Sequence, residues 1–188
     1  MGVSFQKSID QGPRMSELQP RSMELIEPGK DFDHHSYRNA MGGFATGVTI
    51  VTTMAGDTPV GVTANSFTSV SLNPPLVLIC LGKSLGCVDA FLRTDHFAIS
   101  VLGHDQEALS TRFATKGIDR FQSTDWQMSK LNNPLIQPAL ANIECAKHAE
   151  LDYGDHTIFI GEVLRVQYAM KGDPLHYFGG QYRQLQTG

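Results

Sequence analysis

The feature that most constrains this chain lies in its last third. Two long strand-like stretches, roughly residues 139–153 and 157–168, meet at Gly154-Asp155. Gly-Asp is a tight-turn dipeptide, so the two stretches read as one long hairpin. A link this short joins only antiparallel neighbours, because a parallel crossover takes a dozen or more residues. An antiparallel ribbon is therefore expected near the centre of the fold.

The middle of the chain repeats the pattern. Val48-Thr49-Ile50-Val51-Thr52-Thr53 and Pro59-Val60-Gly61-Val62-Thr63 flank Ala55-Gly56-Asp57-Thr58, a second hairpin signature. Asn73-Pro74-Pro75 forces extended backbone ahead of Leu76-Val77-Leu78-Ile79-Cys80-Leu81, which reads as a strand buried on both faces. Phe97, Ile99 and Val101 alternate as a further strand. Helices are short by comparison. Tyr37, Ala40, Met41 and Phe44 share one face of a helix beginning near Ser36, its expected cap, and ending near Gly42-Gly43. Leu85, Val88, Phe91 and Leu92 fit a second helix capped by Ser84, and Leu109 with Phe113 a third near 105–114. Six or more strands with two or three helices make a mainly β fold with an antiparallel sheet. A closed or nearly closed barrel is the economical form, since closure removes strand edges.

With 188 residues the chain suits a single domain that buries its own core without disulfide or metal. Hydrophobic residues make up 41% and charged residues 18%, which excludes a disordered chain. A net charge of −4 and no Lys/Arg run longer than two argue against nucleic-acid and membrane-surface binding. Cys80, Cys87 and Cys145 are too few and oddly numbered for a disulfide scaffold, and Met1-Gly2-Val3-Ser4-Phe5 opens without a basic segment and apolar core. The expectation is a cytoplasmic protein without a membrane span. Residues 1–34, with three prolines and one short apolar cluster, read as a tail, disordered or crossing to another subunit; residues 35–188 form the domain proper.

Chemistry has four candidate places. Thr63-Ala64-Asn65-Ser66-Phe67-Thr68-Ser69-Val70-Ser71 packs hydroxyls and an amide between two apolar strands. Such density requires either an internal network or a polar ligand, and it suits the edge of a flavin ring or a phosphate. Lys83-Ser84 at the expected start of a helix would make an anion site. The surrounding Gly82-Lys83-Ser84-Leu85-Gly86 also matches the G-x-S-x-G elbow of serine hydrolases. That motif needs a parallel sheet and a later acid and histidine, such as Asp155 or Asp173 and His176, where this chain reads as antiparallel. His156, after the Gly154-Asp155 turn, stands at a strand's first residue on a rim. Arg112-Phe113-Ala114-Thr115-Lys116-Gly117-Ile118-Asp119-Arg120-Phe121 and the closing Tyr177-Phe178-Gly179-Gly180-Gln181-Tyr182 combine cations, rings and glycines. No G-x-G-x-x-G follows a strand, no Walker loop is present, and the cysteines and histidines lack zinc spacing. No metal is expected.

In order and spacing these segments, with Phe44-Ala45-Thr46-Gly47-Val48-Thr49-Ile50-Val51-Thr52, Leu72-Asn73-Pro74-Pro75-Leu76 and Gly154-Asp155-His156-Thr157, resemble the flavin reductase family from about Tyr37 to Leu185. Asn73 stands where that family more often has Asp. The resemblance implies an antiparallel split β-barrel of Greek-key type with a few short peripheral helices. It implies hydride transfer from NADH or NADPH to FMN or FAD, with reduced flavin supplied by diffusion to a partner monooxygenase, and a homodimer with the cleft at its interface. By position, Thr49 would lie beside the flavin, and Thr63, Ala64, Asn65, Ser66 and Ser69 would line its ring and ribityl chain. Lys83, Ser84 and Arg120 would serve the phosphate, with Phe113 and Ala114 nearby, and His156 would meet the nicotinamide. A non-catalytic flavin carrier on the same barrel, or a hydrolase using Ser84, are the alternative functions.

Overall fold

The computed structural model describes residues 21–23, 25–29 and 32–184. Most of the expected tail lies outside the described residues; of its described parts, 21–23, 25–29 and 32–33 form neither helix nor strand, and His34 opens the first helix. The chain divides into two compact units, Met1–Tyr37 and Arg38–Gly188. The boundary falls inside the first helix, α1 (His34–Gly42). Asp33, not Ser36, caps that helix: its carboxylate accepts the N–H groups of His35 at 2.9 Å and Ser36 at 3.1 Å. Two good capping residues stand three apart here, and the acidic one wins by reaching two open N–H groups at the positive helix end.

The second unit is built on strands. In chain order these are β1 (Thr46–Gly47), β2 (Thr49–Ala55), β3 (Thr58–Ala64), β4 (Thr68–Leu72), β5 (Pro75–Gly82), β6 (His96–Val101), β7 (Trp126–Met128), β8 (Pro134–Ile136), β9 (Ala141–Tyr153), β10 (His156–Tyr168), β11 (His176–Phe178) and β12 (Gln181–Arg183). Helices α2 (Val88–Arg93) and α3 (Glu107–Ala114) fill gaps between them. Seven strands form one antiparallel sheet in the order β3-β2-β6-β9-β10-β5-β4. The expected central ribbon is β9 and β10, each of 13 residues. The edge strands β3 and β4 are consecutive in the chain, so the sheet must curl until its edges nearly meet. It does so around one core, in which Val62 and Ala64 of β3 share a cluster with Val77, Ile79 and Leu81 of β5 and with Phe97, Cys145 and Phe159. The ladder stays open between β3 and β4, as in a split barrel. Gly161 shows how tight the interior is: a Cβ there would come within 2.5 Å of the Phe97 ring.

Strand β5 differs from its expected form. Val77, Ile79 and Leu81 are buried while Leu76, Leu78 and Cys80 are half-covered, so its run of apolar residues serves one full and one partial face. A second core lies outside the barrel, where Val48, Ile50, Leu102, Phe113, Ile136 and Leu175 pack with Phe121 and Trp126. The rings of Phe113, Phe121 and Trp126 meet edge to face in sequence, with centroids 5.2 and 5.5 Å apart. None of the described helices is long and apolar enough to cross a membrane.

Candidate functional site

The long hairpin fixes one part of the rim. Gly154 takes φ +56°, the left-handed conformation the tight turn requires, and His156 opens β10 opposite Tyr153 of β9 and Gly82 of β5. The imidazole lies beside Gly82, its Nε2 3.6 Å from where a Cβ would stand, an ordinary contact distance. Nδ1 lies 2.7 Å from Asp155 Oδ1, and this hydrogen bond is the main reason the Asp155 carboxyl is held below its ordinary pKa. An ionised Asp155 only accepts, so Nδ1 carries the proton of this hydrogen bond and Nε2 is left facing the rim. The Lys83 N–H donates to the Asp155 carbonyl at 2.8 Å, pinning the turn after β5 to the hairpin.

Ser84 follows on that turn but caps nothing. Helix α2 begins only at Val88, with Cys87 at the capping position and no side-chain bond there. Instead Ser84 lines a cleft of about 890 Å³ with Cys87, the start of β3 (Thr58–Gly61), the 116–122 loop and Trp126. Arg120 closes this cleft by donating Nε to the Thr115 carbonyl at 3.0 Å and Nη1 to the Gly61 carbonyl at 2.7 Å. The loop is stitched further by Asp119, which accepts from the N–H of Phe121 and Gln122, and by Arg112, which donates to the Gln122 carbonyl at 3.0 Å. Burial raises the Cys87 thiol pKa, against the opposing pull of the Arg120 guanidinium.

A smaller pocket of about 220 Å³ lies at the other end of β3, lined by Val48, Thr63, Asn65, Ala114, Tyr177 and Tyr182. Among the described residues only β2 pairs with β3 in the sheet, which leaves no strand on its second edge. Thr63 donates to the Ser110 carbonyl at 2.6 Å, and Ser110 Oγ meets the Tyr182 hydroxyl at 2.8 Å.

The expected residues thus fall into distinct places. Thr63, Asn65 and Ala114 come together at the small pocket, Ser84 and Arg120 at the large cleft, and Lys83 and His156 at the hairpin rim. Ser66 is turned to the wall, exchanging hydrogen bonds with the N–H and carbonyl of Cys80 at 2.9 and 3.0 Å. Ser69 is exposed on edge strand β4. Thr49 and Ala64 are buried, with the Thr49 hydroxyl given to the Ala64 carbonyl at 2.7 Å. Phe113 is fully buried in the second core and abuts Gly61, where a Cβ would lie 2.9 Å from its ring; it supports the cleft wall from behind. Cys87, Trp126 and Asp152 carry no motif and were not expected. All three cysteines are free, and burial pushes the Cys145 thiol up to about 12. The elbow reading fails on its context, since Ser84 sits between an antiparallel strand and a six-residue helix. Among the described residues no group of three or more His, Cys, Asp or Glu side chains could hold a metal ion.

Comparison with known proteins gives a consistent set of likenesses. Residues 41–186 match the family model described as flavin reductase like domain. The chain is 47% identical over 158 residues to FMN reductase (NADH) SmoA of Agrobacterium fabrum, covering 84% of this chain and 89% of that protein. It is 37% identical to the reductase component of 4-nitrophenol 4-monooxygenase/4-nitrocatechol 2-monooxygenase of Rhodococcus opacus, over 87% of this chain and 85% of that one. Among solved structures it superimposes on the NADH:FAD oxidoreductase of Streptomyces globisporus, solved with NAD and FAD fragments, with a TM-score of 0.82. That match has 42% identity and covers 88% of this chain and 98% of that one.

Proposed function

The chain belongs to the flavin reductase family, and we propose that it transfers hydride from NADH or NADPH to FMN or FAD. The reduced flavin then diffuses to a partner monooxygenase. The observation that carries this reading is the open edge of β3, which runs between a pocket with hydroxyl and amide groups and a cleft with a hydroxyl and a guanidinium. These residues fit a flavin. Thr63 and Asn65 offer polar atoms for a ring edge, Phe121 and Trp126 offer apolar surface, and Ser84 with Arg120 offers donors to a phosphate. Arg120 keeps part of its donor set for this, because Nε and Nη1 are already spent on carbonyls.

A flavin, when bound, accepts the hydride on its ring, so the protein supplies orientation rather than an acid or base. His156 is the residue for that task. Held by Asp155, its imidazole bonds the nicotinamide carboxamide through Nε2 and so sets the face and distance of the reacting ring. The shallow cleft, with few charged anchors, suits a flavin that leaves after reduction.

We assign the catalytic unit to residues 35–188 and its working form to a homodimer. Leu164, Val166 and Tyr168 stand at alternate positions of β10 with about half or more of their surface exposed, which leaves an apolar strip for a second copy to cover. The decisive experiment supplies NADH or NADPH with FMN, FAD or riboflavin and follows absorbance at 340 nm. Protein-dependent loss of absorbance with at least one pair is expected. Flavin binding without turnover would identify a carrier, and labelling of Ser84 by a fluorophosphonate would revive the hydrolase. Sedimentation at twice 20.6 kDa is expected for the active species.

A further inference from the structure

Lys83 and Ser84 are neighbours on the rim turn, yet their side chains part. Ser84 lines the large cleft, whereas the Lys83 ammonium lies 3.5 Å from Asp152 Oδ2 on the hairpin side. The other carboxylate oxygen of Asp152 accepts the Thr157 hydroxyl at 2.7 Å. Thr157 is buried and stands directly opposite Asp152 in the β9–β10 register, so the carboxylate is fixed to the sheet. Nothing comparable fixes the ammonium. The backbone of Lys83 is anchored through its own N–H, but the side chain hangs on a long ion pair with both partners well exposed, 42% for Lys83 and 68% for Asp152. An exposed pair at this distance is weak, and a lysine stem has four rotatable bonds with which to leave it.

We propose that Asp152 is a specificity-determining counter-ion, which occupies the Lys83 ammonium until a phosphate group on a ligand competes for it. Asp152 thereby sets how strongly the protein prefers phosphorylated over unphosphorylated ligands. The inference rests on the flavin reading above and deepens it. It also gives a reason for a carboxylate beside Lys83: competition for the ammonium limits the grip on a flavin that has to be released. The phosphate can belong to the flavin or to the dinucleotide, and the test separates the two.

The Asp152→Asn variant keeps an acceptor for Thr157 and removes only the charge. Affinities of FMN and riboflavin are compared by ring fluorescence in the wild type, Asp152→Asn, Lys83→Met and the double variant. A second arm uses riboflavin as acceptor and compares KM for NADH with KM for reduced nicotinamide riboside, which lacks phosphate. In Asp152→Asn the preference for the phosphorylated ligand is expected to rise about two- to fivefold in one arm, which names the source of the phosphate. The gain shrinks as salt is added and vanishes in the Lys83→Met background. Unchanged preference in both arms, or a gain that survives Lys83→Met, overturns the proposal. If the wild type binds neither FMN nor riboflavin, the flavin reading itself falls, an outcome distinct from unchanged ratios.

Discussion

The wall of the barrel and its rim use the same polar residue types in opposite ways. Along the wall, hydroxyls answer neighbouring groups: Thr49 bonds the Ala64 carbonyl, Ser66 both backbone groups of Cys80, and Ser100 the Asn142 side chain at 2.6 Å. On the rim, the side chains of His156 and Lys83 are lightly held and face water. His156 is half exposed and hydrogen-bonded to Asp155, while Lys83 is held at 3.5 Å from Asp152. A polar group between apolar strands has to be satisfied by the fold, because leaving it bare costs about 1–3 kcal/mol. A polar group on a pinned turn stays free to meet a ligand. Changes in the wall should therefore appear in stability, and changes on the rim in kinetics.

The largest effect is expected in the core. Phe159 is fully buried, with its ring 6.1 Å from that of Phe91. Phe159→Ala removes a ring from a packed interior and should lower stability by about 3–5 kcal/mol, read from the midpoint of urea unfolding. A loss under about 1 kcal/mol would mean that the curled sheet is not the stable unit. Next comes Ser100, whose hydroxyl also accepts the Ile136 N–H at 3.3 Å and so ties β8 onto the sheet. Ser100→Ala leaves a buried amide oxygen and a buried N–H unanswered, for about 2 kcal/mol. Turnover per folded molecule should stay unchanged. A fall in turnover without a fall in the urea midpoint would erase the distinction between wall and rim.

This division explains which parts of the molecule were legible in the sequence. The long hairpin could be read because Gly154-Asp155 is local turn chemistry between two apolar stretches, and β2 with β3 likewise. Strands β1, β7, β8, β11 and β12 have two or three residues each, too few for any period to show. The run 63–71 is dense in hydroxyls, but density does not say which way a hydroxyl turns. Thr63 and Asn65 reach a pocket, whereas Ser66 is consumed by Cys80, a residue 14 positions away. Ser84 was expected to cap a helix because it precedes Leu85; the chain instead makes another turn through Gly86 and Cys87 before α2 begins. Asp152 could not be seen at all, since its meaning comes from strand register with Thr157 and from a turn 69 positions earlier.

His156→Ala tests the rim from the kinetic side. Its ring packs over Gly82 rather than into either core, so the urea midpoint should move by less than about 0.5 kcal/mol. The kcat/KM for the nicotinamide should fall about tenfold or more, about 1.4 kcal/mol of transition-state stabilisation, with flavin affinity unchanged. Wild-type kcat/KM for both NADH and NADPH would make His156 an ordinary surface residue.

The smallest effect concerns the partner of that histidine. The Asp155 carboxyl is held below its ordinary pKa first by the hydrogen bond from His156, then by the charge of His156, with a smaller contribution from Lys83. A carboxyl whose folded pKa is depressed adds its stability above the unfolded value, and loses it as pH falls through the folded value. Asp155 therefore stays ionised, and keeps accepting from Nδ1, throughout the range in which the enzyme would be assayed. Carbon-13 chemical shifts of the Asp155 carboxyl should titrate with a midpoint below about 3.9, the value for an unfolded chain. His156→Ala should move the midpoint up toward that value, and Lys83→Met should move it much less, since the lysine is the minor influence. A wild-type midpoint at or above about 3.9 would show that the pair is not formed in solution. The imidazole would then turn freely on the rim, and its hold on the nicotinamide would have to come from the ligand alone.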